Sequence, residues 1–300
     1  SQPSDESLIK LKNRLEIVQR ILIIPGQQRH DPQLQSLLDQ LSINQKAVIV
    51  SDTISNLQSD HTISLHDHWL GDEFSEGLKP DLIISFGKSI ISKSLKLFLR
   101  KTQASHWHVQ PDGHSKDTFQ RLTRNIAASP AFFLHWLSLN LGVQNSDYHE
   151  KWYRLEKKVD QNLKQTLPKE TFGEYPALAY CLSKTPVQSK IYVANSMAVR
   201  YLNLLGKRSQ EISCNRGTSG IDGSNSTAVG CTLTTKEIVT LVTGDMAFFY
   251  DRNAFWHNYA IPNLRIILLN NHAGGIFRLI DGPANQPELE EFFETKQKLS

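Results

Sequence analysis

The 300-residue sequence holds only three cysteines, Cys181, Cys214 and Cys231. Their odd number and the lack of metal-ligand spacing argue against a disulfide framework or a zinc-type cluster. No apolar run approaches the ~20 residues needed to cross a bilayer. The opening SQPSDESLIK lacks the apolar stretch of a signal peptide. A reducing, cytoplasmic setting without membrane insertion is therefore expected. Charge of one sign is also missing: 33 basic residues face 30 acidic ones, for a net charge of +3. The basic residues are dispersed, with none of the one-sided clustering that marks a nucleic-acid partner. There is no internal repeat, no low-complexity tract and no G-x-G-x-x-G dinucleotide fingerprint; PGQQRH (25–30) offers a single glycine where that motif needs three.

What is present is alternation. ILIIPGQ (21–27), KAVIVSD (46–52), PDLIISFGKS (80–89) and SHWHVQP (105–111) read as short buried strands. DPQLQSLLDQLS between the first two reads as a helix, with Asp31 as N-cap and Pro32 at the first helical position. SKSLKLFLRK supplies a second helix. Strands alternating with helices imply a parallel sheet covered on both faces. From about 115 to 185 the pattern turns helical, then alternation resumes. SKIYVANS, EISCNRG, EIVTLVTGD and LRIILLNN read as strands; MAVRYLNLL, STAVGCTLTT and roughly 247–258 read as helices. The expected class is α/β, with two Rossmann-like parallel-sheet domains. Residues 1–145 form a central domain, 146–185 a helical linker and 186–300 a second domain. The chain starts without Met and stops in the charged PELEEFFETKQKLS, so a piece of a longer protein is expected.

All four strands of the second half end in small polar groups: Asn195-Ser196, Asn215-Arg216-Gly217, Gly244-Asp245 and Asn270-Asn271. Any one of them is an ordinary strand-ending turn. Four together point to a site, because ligands in open parallel sheets bind beyond the carboxyl ends of strands. A carboxylate with an amide oxygen suits a hard divalent cation that bridges to phosphates. RGTSGIDGSNSTAVG adds a glycine-rich loop running into a helix, a second anion cradle. The residues alone therefore suggest a Mg²⁺–diphosphate site.

Gly244-Asp245 followed, 26 positions after Asp245, by Asn271 resembles the GDG…NN motif of thiamine-diphosphate enzymes. With ANSMAVR, NRGTSGIDGSNSTAVG, TGDMAFFYD and GGIF, residues 189–280 resemble the 2-succinyl-5-enolpyruvyl-6-hydroxy-3-cyclohexene-1-carboxylate synthases of menaquinone biosynthesis. The first half is less marked, though HWHVQPDGHSKD suits the central domain of that family. The resemblance implies thiamine diphosphate with Mg²⁺ or Mn²⁺, the metal held by Asp245, Asn271 and the carbonyl of Ala273. It implies decarboxylation of 2-oxoglutarate and addition of the succinyl semialdehyde carbanion equivalent to isochorismate. Ser196, Arg200 and Arg216 match substrate-binding positions; guanidinium groups suit multiply anionic substrates because they grip a carboxylate bidentately. On its own Arg200 reads as a surface arginine. Ile221 matches the bulky residue that bends the cofactor, and Asn195, Ser219, Gly220, Gly244, Met246, Ala247 and Phe277 fall where the cofactor is bound. Without the motif Ile221 reads as core, and Phe277 suits core packing as well as a place on the cofactor pocket.

The family's catalytic glutamate sits on a separate N-terminal domain, and no residue of this chain matches it. The piece alone is expected to be inactive, and the full-length protein a homodimer or tetramer. Two departures stand out: Met246 replaces the second glycine of GDG, and His272-Ala273 replaces a more usual Asn/Asp-Gly. The Cβ of Ala273 limits left-handed backbone shapes. His61, His66, Asp67 and His68 look metal-like but read better as a polar loop; His106 and His108 share a strand face without a third ligand. Two alternatives remain open: another thiamine-diphosphate-dependent 2-oxo acid decarboxylase or carboligase, and a non-catalytic nucleotide-binding module.

Overall fold

A computed structural model describes residues 3–71, 76–114 and 117–298. The chain forms two compact units, Ser1–Leu167 and Pro168–Ser300. In the first, α1 (Asp5–Leu15) precedes β1 (Ile21–Pro25). Helix α2 (Pro32–Ile43) starts as its sequence dictates: the Asp31 carboxylate accepts from the Gln33 and Leu34 amides, and Pro32 opens the first turn. Then come β2 (Val48–Ile49), β3 (Leu82–Phe86), α3 (Lys93–Arg100), β4 (Ser105–Val109), β5 (Leu122–Ile126), α4 (Pro130–Asn140) and α5 (Ser146–Thr166). Among the described residues the sheet runs β2-β1-β3-β4-β5, every neighbouring pair parallel.

Strand alternation sends side chains to two cores. Ile21, Ile23, Ile84 and Phe86 pack on one face with leucines of α2 and α4, while Leu22, Ile24 and Ile83 pack on the other with α3 and Trp152 of α5. The glycine after β1 serves this packing. Its amide donates to the Phe86 carbonyl at 2.7 Å, and a Cβ on Gly26 would lie 2.4 Å from the Lys88 carbonyl oxygen. Close approach of two strand ends, rather than a phosphate, accounts for the glycine of PGQQRH.

The second unit holds α6 (Glu174–Ser183), β6 (Ser189–Val193), α7 (Met197–Leu204), β7 (Glu211–Cys214), α8 (Ser224–Thr232), β8 (Ile238–Gly244), α9 (Asp245–Tyr250) and β9 (Leu264–Leu269). Its sheet runs β7-β6-β8-β9, again parallel throughout. Both sheets therefore have the expected α/β parallel form. No helix among the described residues is long and apolar enough to cross a membrane.

Three expectations differ from the structure. The stretch read as helical from 115 contains β5, an edge strand whose sequence LTRNI exposes its three central residues and so carries no apolar run. The helix expected over 247–258 is α9, only six residues long, followed by a 3-10 turn at Arg252–Phe255. The segment 146–185, expected as one linker, is divided between the units: α5 buries Tyr148, Trp152 and Glu156 in the first, whereas α6 buries Leu178 and Leu182 in the second.

Candidate functional site

The carboxyl ends of β6, β7, β8 and β9 open into a cavity of about 480 Å³ within the second unit. Parallel register brings the crucial ends together, with Gly244 of β8 level with Leu269 of β9. Asp245 follows the first and is 2% exposed; Asn271 follows the second, two residues past Leu269, and both line the cavity. Ala273 lines it as well, one residue beyond a left-handed turn. That turn falls on His272, at φ 62°, so the Cβ of Ala273 meets no such demand, contrary to the concern the sequence raises. The Asn271 side-chain oxygen accepts from the Ala273 amide at 3.0 Å and the Asn270 oxygen from the His272 amide at 3.2 Å, which fixes the loop. Gly275 gives it room: a Cβ there would sit 3.1 Å from the Asn271 side-chain nitrogen.

The other wall is built on β6 and β7. Asn195, buried at the end of β6, donates through its side-chain nitrogen to the carbonyls of Asn215 and Gly220, each at 2.7 Å. Its oxygen accepts from Arg216 Nη1 at 2.8 Å and from the Cys214 thiol at 3.5 Å. Burial pushes the Cys214 thiol up to about 12, against the lowering influence of Arg216, so this cysteine is an inert packing group. Ser196 takes a strained φ of 69°, and its carbonyl accepts from Arg200 Nη1 at 2.6 Å, one turn into α7.

Asn195, Ser196, Arg200, Arg216, Ser219, Ile221, Gly244, Asp245, Met246, Ala247, Asn271, Ala273 and Phe277 all line the one cavity. Gly220 does not. It lines a neighbouring polar hollow with Asn215, Gly217 and Asp222, because its carbonyl is spent on Asn195. Sequence reasoning missed Glu174, Met197, Leu269, Ile276, Ile280, Phe293 and Thr295 on the walls. Glu174 is the carboxylate among them; its Oε2 accepts from the Tyr201 hydroxyl at 3.0 Å. Burial, then the charge of Glu174 and this hydrogen bond, push the Tyr201 hydroxyl up to about 12. Only the GEY triplet before an apolar helix marked Glu174 in the sequence, and helix-start acids are commonplace.

Three histidines of the first unit, His66, His106 and His108, are held by structural partners, and His66 is not an exposed loop side chain. His66 is fully buried with its Nε2 3.2 Å from Asp52 Oδ1. Asp52, His66 and Asp67 converge with ligand atoms within 4.8 Å of one another. Their oxygens are already engaged: Asp52 Oδ2 accepts from the Ser92 amide at 3.2 Å, and Asp67 Oδ1 accepts from the hydroxyls of Ser92 and Ser94. His61 and His68 are exposed. His106 and His108 share the Ser85 hydroxyl, at 2.6 and 2.8 Å.

A family model described as "Middle domain of thiamine pyrophosphate" matches residues 16–193. Across 99% of its length the chain is 43% identical to the 2-succinyl-5-enolpyruvyl-6-hydroxy-3-cyclohexene-1-carboxylate synthase of Cytophaga hutchinsonii, covering 54% of that protein. It is 34% identical to the synthase of the same name from Flavobacterium psychrophilum, over 98% of the chain and 54% of the relative. For that of Christiangramia forsetii the figures are 34%, 99% and 53%. The chain thus spans about half the length of the curated relatives it matches.

Proposed function

The chain belongs to the thiamine-pyrophosphate enzyme family through the middle domain it carries, and from that premise we propose that its second unit holds the diphosphate of thiamine diphosphate through Mg²⁺ or Mn²⁺. The protein of which it forms part would then be a transferase of menaquinone biosynthesis. It would decarboxylate 2-oxoglutarate and join the remaining four-carbon unit to isochorismate. One observation carries the reading: a buried carboxylate, Asp245, and an amide side chain, Asn271, close neighbouring strands at one cavity with two arginines. The donor set fits the group. Mg²⁺ takes oxygen ligands, keeps few from protein and completes its shell with phosphate and water. Asp245, Asn271 and the Ala273 carbonyl would supply that oxygen set.

Bound thiamine diphosphate supplies an electron sink for the carbanion left when a 2-oxo acid loses carbon dioxide. The chain's own residues hold and orient the anionic groups, while the glutamate that activates the cofactor ring is expected from the separate N-terminal domain. Arg200 and Arg216 bind carboxylates of the two anionic substrates, each arginine already oriented by a short hydrogen bond to Ser196 or Asn195. Ile221 presses an apolar, branched side chain into the cavity where the resemblance sets the cofactor's bend. Met246, Ala247, Ile276 and Phe277 keep that wall apolar and exclude water from it.

Calorimetric titration tests the reading. Thiamine diphosphate with Mg²⁺ should bind the chain, and Asp245→Asn should abolish binding without unfolding it. Binding of NAD or FAD in place of thiamine diphosphate would favour a nucleotide-binding module and sink the proposal.

A further inference from the structure

The segment 289–298 lies across the loop that carries Asn271 and Ala273, and the two are matched in detail. The Gly274 amide donates to the Glu294 carbonyl at 2.7 Å, and the Gln297 amide donates to the His272 carbonyl at 2.9 Å, one on either side of Ala273. Gly274 admits this approach, since a Cβ there would lie 3.1 Å from the Phe293 carbonyl oxygen. The Glu294 carboxylate is buried and accepts from Arg278 Nη2 at 2.9 Å. Fastened in this way, Gln297 brings its side-chain nitrogen 2.9 Å from Asp245 Oδ2 and 3.4 Å from Asn270 Oδ1. Between these anchors Thr295, which lines the cavity, is held at φ 44°. A β-branched residue resists that conformation, so the segment is pinned against local strain.

An amide N–H and a divalent cation are both electron-pair acceptors, and they compete for the same carboxylate lone pairs. We propose that Gln297 is a latch: its side-chain amide stands in for the cation on Asp245, and cation–diphosphate binding displaces it and lifts residues 294–298 from the 270–274 loop. The proposal rests on the reading of Asp245 as a cation ligand. The latch satisfies Asp245 before a cation arrives, because a buried carboxylate without a partner is costly. It also couples the site to the residues that follow Phe293, whose exposure then reports the cofactor. Apparent affinity is lowered by the fraction of molecules in which the latch is closed.

Mg²⁺ with thiamine diphosphate, titrated calorimetrically and followed by amide hydrogen exchange, tests this on all 300 residues. In the unsubstituted protein, binding should speed exchange at the Gln297 and Gly274 amides while other site amides slow. Gln297→Ala should bind roughly three- to tenfold more tightly, the worth of one partly exposed hydrogen bond. Thr295→Asn, which tolerates a left-handed backbone, should favour the closed latch and bind more weakly. Equal affinities with unchanged or slowed exchange at both amides overturn the latch and leave the site reading standing. No binding by any of these variants or by the unsubstituted protein overturns the site reading, and the latch falls with it.

Discussion

Arg216 Nη1 lies 2.8 Å from the side-chain oxygen of Asn195, so a guanidinium at the end of β7 is aimed by an amide at the end of β6. The same amide's nitrogen holds the carbonyls of Asn215 and Gly220. A single buried side chain therefore closes the glycine-rich loop and points the arginine. Asn195→Ala should destabilise the second unit by about 2–3 kcal/mol, because buried carbonyls lose their donor. Asn195→Asp keeps an acceptor for Arg216 but turns a carboxylate toward two carbonyl oxygens, and it should cost at least as much. Denaturant unfolding of both variants checks this; a change below about 0.5 kcal/mol, within the range of neutral surface substitutions, would refute the hub role.

Arg200 differs in what holds it. Its Nη1 donates to the Ser196 carbonyl within its own helix entry, and its side chain lines the cavity, where a planar fork can meet a ligand carboxylate. Arg200→Lys keeps the charge and loses the fork. With thiamine diphosphate and Mg²⁺ bound, affinity for 2-oxoglutarate should fall about tenfold, the worth of one charge-assisted hydrogen bond. Affinity for the cofactor should not move. Equal loss of both would mean that Arg200 braces the cavity instead of reading the substrate.

Ile221 separates packing from function. It is half-buried on the cavity wall, so Ile221→Ala should cost only about 1 kcal/mol of stability, below the range for truncating a fully buried isoleucine. If the side chain bends the cofactor, the variant should still bind thiamine diphosphate and Mg²⁺, yet the active enzyme should lose turnover by an order of magnitude or more, as positioning losses do. Stability and turnover falling in proportion would return Ile221 to the core.

Sequence legibility tracked how local each signal was. The apolar runs of β1, β3, β8 and β9 and the Asp31-Pro32 helix start are written in consecutive residues. The polar strand ends were legible for the same reason, since a parallel sheet gathers such ends on one edge. Where the information was non-local, it was lost. The strand β5 owes its place to pairing with β4, not to its polar sequence. Glu174 reaches the cavity from a helix two elements before α7. Asp52 meets His66 across a turn with no spacing rule to announce it, and Gln297 meets Asp245 from the far end of the unit. These contacts arise from the path of the backbone between elements, which periodicity does not encode.

Two buried histidines give the first unit opposite responses to pH. For His106, burial and the neighbouring His108 lower the pKa from 6.5 to about 4. The folded unit refuses a proton that the unfolded chain accepts, so stability is full above about 6.5 and falls as pH drops toward about 4, by up to about 3 kcal/mol. His66 runs the other way. Burial alone would pull it down, but the Asp52 hydrogen bond and the charges of Asp67, Asp52 and Glu156 outweigh burial and raise its pKa. Its stabilisation is complete below the unfolded value of 6.5 and is lost as pH rises through the folded one. The two limbs meet near 6.5, where unfolding free energy should peak. Tryptophan fluorescence during denaturant unfolding reports mainly on this unit, which holds Trp69, Trp107, Trp136 and Trp152, whereas Trp256 of the other unit is exposed. His106→Gln should flatten the acid limb alone. His66→Gln should flatten the alkaline limb and also lower the peak by several kcal/mol, about 3–5, because the buried Asp52 carboxylate loses its cation. A curve rising steadily from acid to alkaline pH would show that His66 is buried neutral.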